Sequence, residues 1–323
     1  MEDLPGEGAA SGSLHREAIP AGPSRYDATV LPSGRGRVFG GFALLTLIWG
    51  TTWAVIRIGL QGVPPFTGVA VRFAIAGTLL LALALAAGVR LGRARHEKSL
   101  WIANGVLSFC LSYSIVYWSE QYIPSGLAAV LFATNPLFVA VLAHVLLASE
   151  RLGPRAGIGL FLGFAGVAVI FSDDLALLGG AQVRHAALVM LVAPFVSALA
   201  TVAVKRWGSG VHPLSVSAVP MLFTGAVMGA LAFVSERGRP VVFDARSVGA
   251  ILYLAVLGSA VTFTVYYWLL ARVTATKLAL ISYVIPVVAL AVGAVLFAEP
   301  LRPRILGGSA LILVGVVLVS RQR

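Results

Sequence analysis

One pattern occurs twice in the chain: residues 150–170 read ERLGPRAGIGLFLGFAGVAVI, and residues 299–319 read EPLRPRILGGSALILVGVVLV. Both copies place a glutamate four positions before a Pro-Arg pair, and both continue into an apolar run with glycines at matching positions. Upstream, Trp118 and Trp268 each follow a tyrosine and each lie eighteen residues before a proline. A repeat of this length predicts a chain that is built from two copies of one structural unit.

The composition indicates a membrane protein. Of the 323 residues, 59% are hydrophobic and only 11% are charged, and the mean hydropathy is +0.92. A soluble fold of this length could not bury so much apolar surface. The net charge of +11 does not indicate a nucleic-acid partner, because the basic residues lie at the ends of apolar runs, as in a membrane topology signal.

Ten apolar runs are suited to crossing the hydrocarbon core, which takes roughly 20 helical residues. They lie near residues 38–60, 65–88, 99–119, 124–148, 155–172, 184–204, 213–234, 247–270, 276–298 and 303–320. The sequence therefore predicts an all-α membrane protein with ten transmembrane helices.

The runs divide the chain into a tail and two repeats. Residues 1–37 carry small residues, prolines and mixed charge, so we expect a disordered cytoplasmic tail without a signal peptide. We expect the first five-helix repeat over residues 38–172, a linker over 173–183 and the second repeat over 184–320. The excess of lysine and arginine in one set of loops places both termini in the cytoplasm. Because five is odd, the second repeat should be inverted relative to the first.

Three segments resemble a known family. Residues 49–57, WGTTWAVIR, look like the first-helix signature of the drug/metabolite transporter superfamily, in its EamA branch. Residues 136–152, from a proline to Glu-Arg-Leu, and residues 286–301, from a proline to Glu-Pro-Leu, are similar to that family's repeat ending. The resemblance covers residues 38–320 and implies ten helices in two inverted repeats, cytoplasmic termini and a central substrate cavity. It also implies export or exchange of small metabolites, amino acids among them.

The third and eighth spans carry many polar groups. In the third span, Asn104, Ser108 and Ser112 recur at a spacing of four residues. In the eighth span, Thr262 occupies the position that matches Ser112, and Tyr266 lies one turn later. Because a lipid-facing helix would not expose such groups, we expect both spans to line a cavity. Packing between helices through small polar residues is the alternative.

Aromatic and kinked segments add further candidates for a substrate site. Trp49 and Trp53 lie near the middle of the first span, away from the interfaces that tryptophan usually prefers. Aromatic walls of this kind suit apolar or aromatic substrates through stacking and, for an amine, cation–π contact. We predict that the substrate-binding residues are Trp49, Thr52, Trp53, Ser112, Tyr113, Tyr117, Thr134, Asn135, Thr262, Tyr266 and Tyr283.

Residues for gating or coupling are predicted at Arg72, Glu120, Pro136 and Pro286. A proline inside a span frees a carbonyl group and bends the helix, which suits alternating access; a static kink is the alternative. Charged residues within the membrane are functional candidates, so Arg72 and Glu120 could form an outer gate or a carboxylate-binding site. The alternative is a structural ion pair, and Arg57 is expected to extend to the interface.

The two repeated glutamates have a structural interpretation. Glu150 and Glu299 each precede a proline that suits the first turn of a helix. We therefore expect each carboxylate to stabilise the start of the helix that follows it. The five histidines have no spacing typical of a metal site, and no phosphate-binding loop is present, so neither a metal nor a cofactor is expected.

The sequence is best interpreted as a secondary transporter of the bacterial inner membrane and not as an enzyme. We expect it to export or exchange amino acids or related amphipathic compounds by alternating access at a midplane cavity. The expected partners are this substrate and membrane lipids, with the protein as a monomer or weak homodimer and without nucleic acid. The alternative is a lipid-linked-sugar flippase or an intramembrane enzyme, for which Gly258-Ser259 would be the candidate segment.

Overall fold

The computed structural model of the protein describes residues 35–92, 95–147, 152–172, 181–273, 275–278 and 281–320. Its helices form ten consecutive spans, numbered α1 to α10. In the first repeat, α1 is Arg35–Gly59; α2 is Pro65–Ala86; α3 joins Arg95–Asn104, Gly105–Ser112 and Tyr113–Ser119; α4 joins Ser125–Phe132 and Asn135–Leu146; and α5 is Pro154–Phe171. In the second repeat, α6 joins Ala181–Met190 and Val192–Trp207; α7 is Pro213–Ser235; α8 joins Ala245–Ala255, Val256–Val261 and Thr262–Arg272; α9 joins Ala275–Leu278 and Ile281–Phe297; and α10 is Pro303–Ser320.

The predicted all-helical membrane fold is confirmed. Eight helices are long and apolar enough to cross a membrane, and Val284–Phe297 and Pro303–Val319 are shorter apolar helices that complete a set of ten. No strand occurs within the described ranges. Glu150 and most of the predicted tail and linker lie outside the described residues, whereas α1 and α6 begin slightly earlier than predicted, at Arg35 and Ala181.

Proline marks the start of several spans. Pro65, Pro154, Pro213 and Pro303 are the first residues of α2, α5, α7 and α10. Proline fits there because the missing N–H would have no partner within the helix and the fixed φ angle suits the first turn. Helix α8 starts differently, since the carboxylate of Asp244 accepts a hydrogen bond of 2.7 Å from a backbone N–H of the first turn.

The two polar spans are irregular in their middle. Helix α3 contains the π-helical segment Gly105–Ser112, and α8 contains the π-helical segment Val256–Val261. Irregular backbone at membrane depth is tolerated where it is buried in protein or lines a cavity. A π turn holds more residues than an α turn, so the relative direction of side chains along this part of α3 differs from that of a regular α-helix.

Glycines allow α5 and α10 to approach each other closely. A Cβ atom at Gly159 would lie 2.6 Å from the carbonyl oxygen of Gly315, and one at Gly166 would lie 2.5 Å from the carbonyl oxygen of Gly308. The reverse contacts are equally close, because a Cβ atom at Gly315 would meet Gly159 and one at Gly308 would meet Gly166. As residue numbers rise along α5 they fall along α10, so the two helices pack antiparallel through matching glycines.

The same reciprocal packing occurs between α2 and α7. A Cβ atom at Gly77 would lie 2.7 Å from the backbone nitrogen of Leu222, and one at Gly225 would lie 2.9 Å from the backbone nitrogen of Ala74. These two helices are also antiparallel where they touch. Each pair joins corresponding helices of the two repeats, so the repeats are held together at two backbone-to-backbone contacts.

Neighbouring glycines in α10 provide a test of this packing. We expect Gly308→Ala to lower the thermal unfolding temperature of the purified protein by several degrees, because the new methyl group would meet the carbonyl oxygen of Gly166 at 2.6 Å. Gly307→Ala is the matched control, since no atom of a described residue beyond its own stretch of helix lies within 4 Å of the position that its methyl group would take. It should leave stability unchanged or raise it by up to about 1 kcal/mol, because alanine favours the helix. Equal effects at both positions would contradict the proposed contact.

Candidate substrate-binding cavity

A cavity of about 130 Å³ lies among seven of the ten spans. Its walls come from α1, α2, α3 and α4 of the first repeat and from α6, α8 and α9 of the second. The predicted site residues that line it are Trp49, Thr52, Trp53, Arg72, Ser112, Tyr113, Asn135, Tyr266 and Pro286. Residues that were predicted from both repeats therefore meet around one space.

Other predicted residues lie outside the cavity wall. The Thr134 hydroxyl is buried and donates a hydrogen bond of 2.7 Å to the Leu131 carbonyl, within its own helix. Thr262 and Pro136 are also buried away from the cavity. Thr262 matches Ser112 in the repeat, but the two copies of the span do not present the matching position to the same space. The side chain of Tyr283 lies outside the described residues.

Several lining residues were missed by the sequence analysis. Ser197, Thr201, Phe263 and Tyr267 all contribute to the wall, together with Ser108 from the polar pattern of the third span. Ser197 and Thr201 lie four residues apart in α6, so the helical spacing of polar residues could have identified them. Phe263 offers no comparable signal, because an isolated phenylalanine in an apolar span is as consistent with core packing.

Aromatic rings form much of the cavity wall. The Trp49 ring lies 5.5 Å from the rings of both Phe263 and Tyr266, and the Phe263 ring lies 6.2 Å from the Tyr113 ring, measured between centroids. Trp53 contacts Phe132 at 5.5 Å. Such rings give an apolar substrate a large contact area. The buried indole N–H groups of both tryptophans have no hydrogen-bond partner among the described residues.

Arg72 brings a buried positive charge to the cavity. Its guanidinium donates hydrogen bonds to the Ser259 hydroxyl at 2.8 Å, the Gly258 carbonyl at 3.0 Å and the Tyr117 hydroxyl at 3.3 Å. The guanidinium carbon also lies 4.7 Å from the centre of the Tyr113 ring. Two of these contacts hold the π-helical segment of α8, so Arg72 ties the first repeat to the second.

Arg72 and Glu120 do not form the ion pair that the sequence suggested. Arg72 is 1% exposed and Glu120 is 4% exposed, yet no carboxylate oxygen of Glu120 lies within 4.0 Å of the guanidinium, and neither oxygen has a hydrogen-bond partner among the described residues. The arginine instead uses neutral acceptors, since the polar groups of α8 lie closer to it. A direct Arg72–Glu120 gate is therefore not formed in this conformation.

Glu299 caps a different helix from the one that was predicted. Its carboxylate accepts hydrogen bonds from the backbone N–H and hydroxyl of Ser125, both at 2.8 Å, and from the backbone N–H of Gly126 at 3.0 Å. Arg57 adds an ion pair of 2.7 Å. These donors belong to the start of α4 and to α1, in the first repeat. The expectation that Glu299 stabilises the start of α10 was wrong, because free N–H groups of α4 lie within its reach.

A second glutamate makes an equivalent contact between the repeats. The carboxylate of Glu236, at the end of α7, accepts hydrogen bonds of 2.8 Å from the backbone N–H groups of Phe66 and Thr67, at the start of α2. The Thr67 hydroxyl donates a further bond of 2.7 Å. Acidic residues of the second repeat thus cap two helices of the first repeat.

Comparison with known proteins relates this chain to a family of transporters. A sequence profile of the EamA-like transporter family matches residues 39–172 and again residues 184–321. The chain is similar to an uncharacterized transporter of Archaeoglobus fulgidus, with 29% identity over 286 residues, which cover 87% of this chain and 98% of that protein. It is also similar to the uncharacterized inner membrane transporter YedA of Escherichia coli K12, with 30% identity over 286 residues, which cover 88% of this chain and 90% of that protein.

The fold has a counterpart among solved structures. One crystal structure superposes on this chain with a TM-score of 0.67 and 23% sequence identity, over 88% of this chain and 96% of the other. The two chains therefore share a fold.

The contributions of Arg57 and Glu299 to stability can be separated by mutation. We expect Glu299→Gln to destabilise the protein by roughly 1–3 kcal/mol. The amide leaves part of the α4 start without an acceptor, and it also removes the negative charge that stabilises the positive end of the α4 dipole. Arg57→Gln should cost less, since Glu299 keeps its three bonds to Ser125 and Gly126. Thermal unfolding of both variants and of the double mutant measures the difference. A larger loss in Arg57→Gln would show that the ion pair, and not the helix cap, is the main contribution.

Proposed function

Since the chain belongs to the EamA-like transporter family, we propose that it is a secondary transporter of the inner membrane that exports or exchanges small amphipathic metabolites, amino acids among them. The observation that carries this proposal is the central cavity, whose walls from both repeats combine aromatic rings with hydroxyl, amide and guanidinium groups. Ligand sites of transporters commonly lie between the repeats near the membrane midplane. The family and the relatives are transporters and not enzymes.

The proposed transport mechanism is alternating access between two inverted repeats. The reciprocal glycine contacts support this arrangement, since Gly159 meets Gly315 while its counterpart Gly308 meets Gly166. Two copies related by a twofold axis in the membrane plane would make contacts of this kind, with corresponding helices antiparallel. The substrate would bind at the axis, and rocking of one repeat against the other would expose it to each side in turn.

The positions of the charged residues support a cavity that is open toward the cytoplasm. The cavity wall extends to Ala275 and Leu278 at the start of α9. Near that end, Lys205 donates hydrogen bonds of 2.9 and 3.0 Å to carbonyls at the end of α8, and the positive-inside rule assigns this end to the cytoplasm. The opposite end is joined by the Arg57–Glu299 ion pair. We infer a carrier that takes its substrate from the cytoplasm, has cytoplasmic termini and works as a monomer or weak homodimer surrounded by lipid.

The contacts of Ser259 argue against intramembrane proteolysis. Its hydroxyl oxygen accepts a hydrogen bond from the Arg72 guanidinium, and this group cannot serve as the general base that a nucleophilic serine needs, because arginine stays protonated. The segment Gly258-Ser259 thus has a packing role beside the cavity.

A bulky substitution in the cavity wall tests the proposed function. The purified protein would be reconstituted into liposomes that are loaded with a defined mixture of amino acids, organic acids and amines, and the released compounds would be identified by mass spectrometry. Ser197→Trp should reduce the protein-dependent release at least about tenfold, because the indole would occupy the cavity. Leu188→Trp is the control on the same span, where the side chain is 51% exposed and outside the cavity.

Both variants would also be compared with the original protein by size-exclusion chromatography and thermal unfolding. Normal release by folded Ser197→Trp would remove this cavity from the transport path. The absence of protein-dependent release for every compound would contradict the transporter proposal itself.

Glu120 is the group that we propose for coupling to protons. Its carboxyl group is buried without a hydrogen-bond partner among the described residues, and a buried carboxylate without partners is costly, so the protonated form suits this conformation. The charged groups within electrostatic reach are Glu299, Arg57 and Arg72. A change in their positions during the cycle would favour release of the proton.

The coupling proposal predicts a loss of pH dependence. For the compound that the liposomes release, an imposed pH gradient should alter the flux of the original protein but not that of Glu120→Gln, because the amide mimics the protonated carboxyl group and cannot exchange a proton. Flux should be followed with and without a protonophore. An unchanged response of Glu120→Gln to the gradient would assign the coupling to another group.

A further inference from the structure

We propose that the transported compound is a carboxylate with an apolar or aromatic body, and that its carboxylate group binds to Arg72 in the cavity. This inference rests on the proposed function and specifies the chemical class of its substrate. The geometry that carries it is a positive charge, almost fully buried in the wall of an aromatic cavity, whose hydrogen-bond partners among the described residues are all neutral.

Arg72 makes no ion pair with a carboxylate in the described part of the chain, although the buried Glu120 lies within electrostatic reach of it. Its hydrogen bonds go to two hydroxyl groups and one carbonyl group. No carboxylate among the described residues lies within 4.0 Å of it. A buried ion without a counterion is costly, and intramembrane charges are usually paired or placed at substrate pathways. An anion entering the cavity would supply the missing partner.

The hydrogen-bond donors and the planar shape of the Arg72 guanidinium indicate which kind of anion it would bind. Arginine has five N–H groups, and the three hydrogen bonds to Ser259, Gly258 and Tyr117 leave N–H groups for a further acceptor. Its planar fork matches the two oxygens of a carboxylate. The Tyr113 ring covers one face of the guanidinium, at 4.7 Å from its central carbon. A carboxylate oxygen would therefore approach the guanidinium at its edge, where the N–H groups point.

Other groups in the wall also favour an anion. The indole N–H groups of Trp49 and Trp53 are donors only, both are buried, and neither has an acceptor among the described residues. No aspartate or glutamate occurs among the described residues of the wall. The cavity thus offers unpaired donors and a cation but no carboxylate from this part of the chain for an amine, so a simple amine would find no counterion there.

The aromatic rings of the cavity wall indicate the chemical character of the rest of the substrate. The rings of Trp49, Phe263 and Tyr266 lie within 6.3 Å of one another, measured between centroids. Such a wall favours binding most when it covers an apolar or aromatic group, because the apolar surface of both is then removed from water. A small inorganic anion would leave this apolar surface uncovered, so the combination of Arg72 with the rings favours an organic carboxylate.

The inference is tested with probes that share one ring and differ in charge. Isothermal titration calorimetry of the full-length protein in detergent at neutral pH would compare 3-phenylpropionate, 3-phenylpropanol and 3-phenylpropylamine, with acetate as the carboxylate without a ring. We expect 3-phenylpropionate to bind at least about tenfold more tightly than the alcohol or the amine, because only it pairs with the guanidinium. Acetate should also bind at least about tenfold more weakly, since it lacks the ring.

Variants identify the residue responsible. Arg72→Gln should remove the preference for 3-phenylpropionate over 3-phenylpropanol, and Arg72→Lys should retain part of it as a point charge. Arg57→Gln is the matched control, because this arginine pairs with Glu299 outside the cavity wall, and it should leave the preference unchanged. If Arg72→Gln does not fold, the ranking of the four probes by the original protein still decides the question.

The possible results separate this inference from the transporter proposal. Equal or tighter binding of the amine or alcohol, or a preference that survives in folded Arg72→Gln, would overturn the carboxylate site. So would the absence of binding by every probe. In each of these cases, protein-dependent release from liposomes that Ser197→Trp abolishes would leave the transporter proposal standing, with a different class of substrate.

Discussion

A polar group in the hydrocarbon core must find its partner inside the protein, and the arrangement of the spans depends on this constraint. Asn104 donates a hydrogen bond of 2.9 Å to the Val216 carbonyl of α7, and Ser112 donates one of 3.1 Å to the Ala193 carbonyl of α6. Side chains toward lipid, such as Phe161 at 74% exposure, are apolar. The polar groups of the spans are therefore collected in the interior, and the space they surround is the cavity.

The same constraint explains why acidic residues join the two repeats. The first N–H groups of a helix have no acceptor within the helix, and at the membrane ends of α2 and α4 they are satisfied by Glu236 and Glu299. Both acids come from the second repeat. Because each cap bridges the repeats, a rearrangement that separates the repeats at the start of α4 has to move α4 together with Glu299 or break the cap. The caps thus connect helix stability directly to the proposed transport cycle.

The sequence predicted the parts of this structure that follow from hydrophobic length and from duplication. The ten helices and their all-α class could be recognised because each span must reach across the membrane, and the polar content of α3 and α8 correctly indicated an interior position. The partner of Glu299 could not be predicted, since nothing in its local sequence shows that the start of α4 packs beside it. Likewise, nothing in the local sequence distinguishes Thr262, which is buried outside the cavity wall, from the matching Ser112, which lines it.

The scaffold is repeated, whereas the chemistry of the cavity is not. Tyr117 and Tyr267 occupy matching positions before Trp118 and Trp268, yet the first hydroxyl accepts a bond from Arg72 and the second donates one of 2.9 Å to Asn104. Counted from the starting prolines of α2 and α7, the position of Arg72 corresponds to Pro220. Among the described residues of the wall, a twofold arrangement of helices would thus enclose a site whose cation comes from the first repeat alone. A substrate held by that cation would bind in one orientation, so the difference between the copies gives a symmetric carrier a directional binding site.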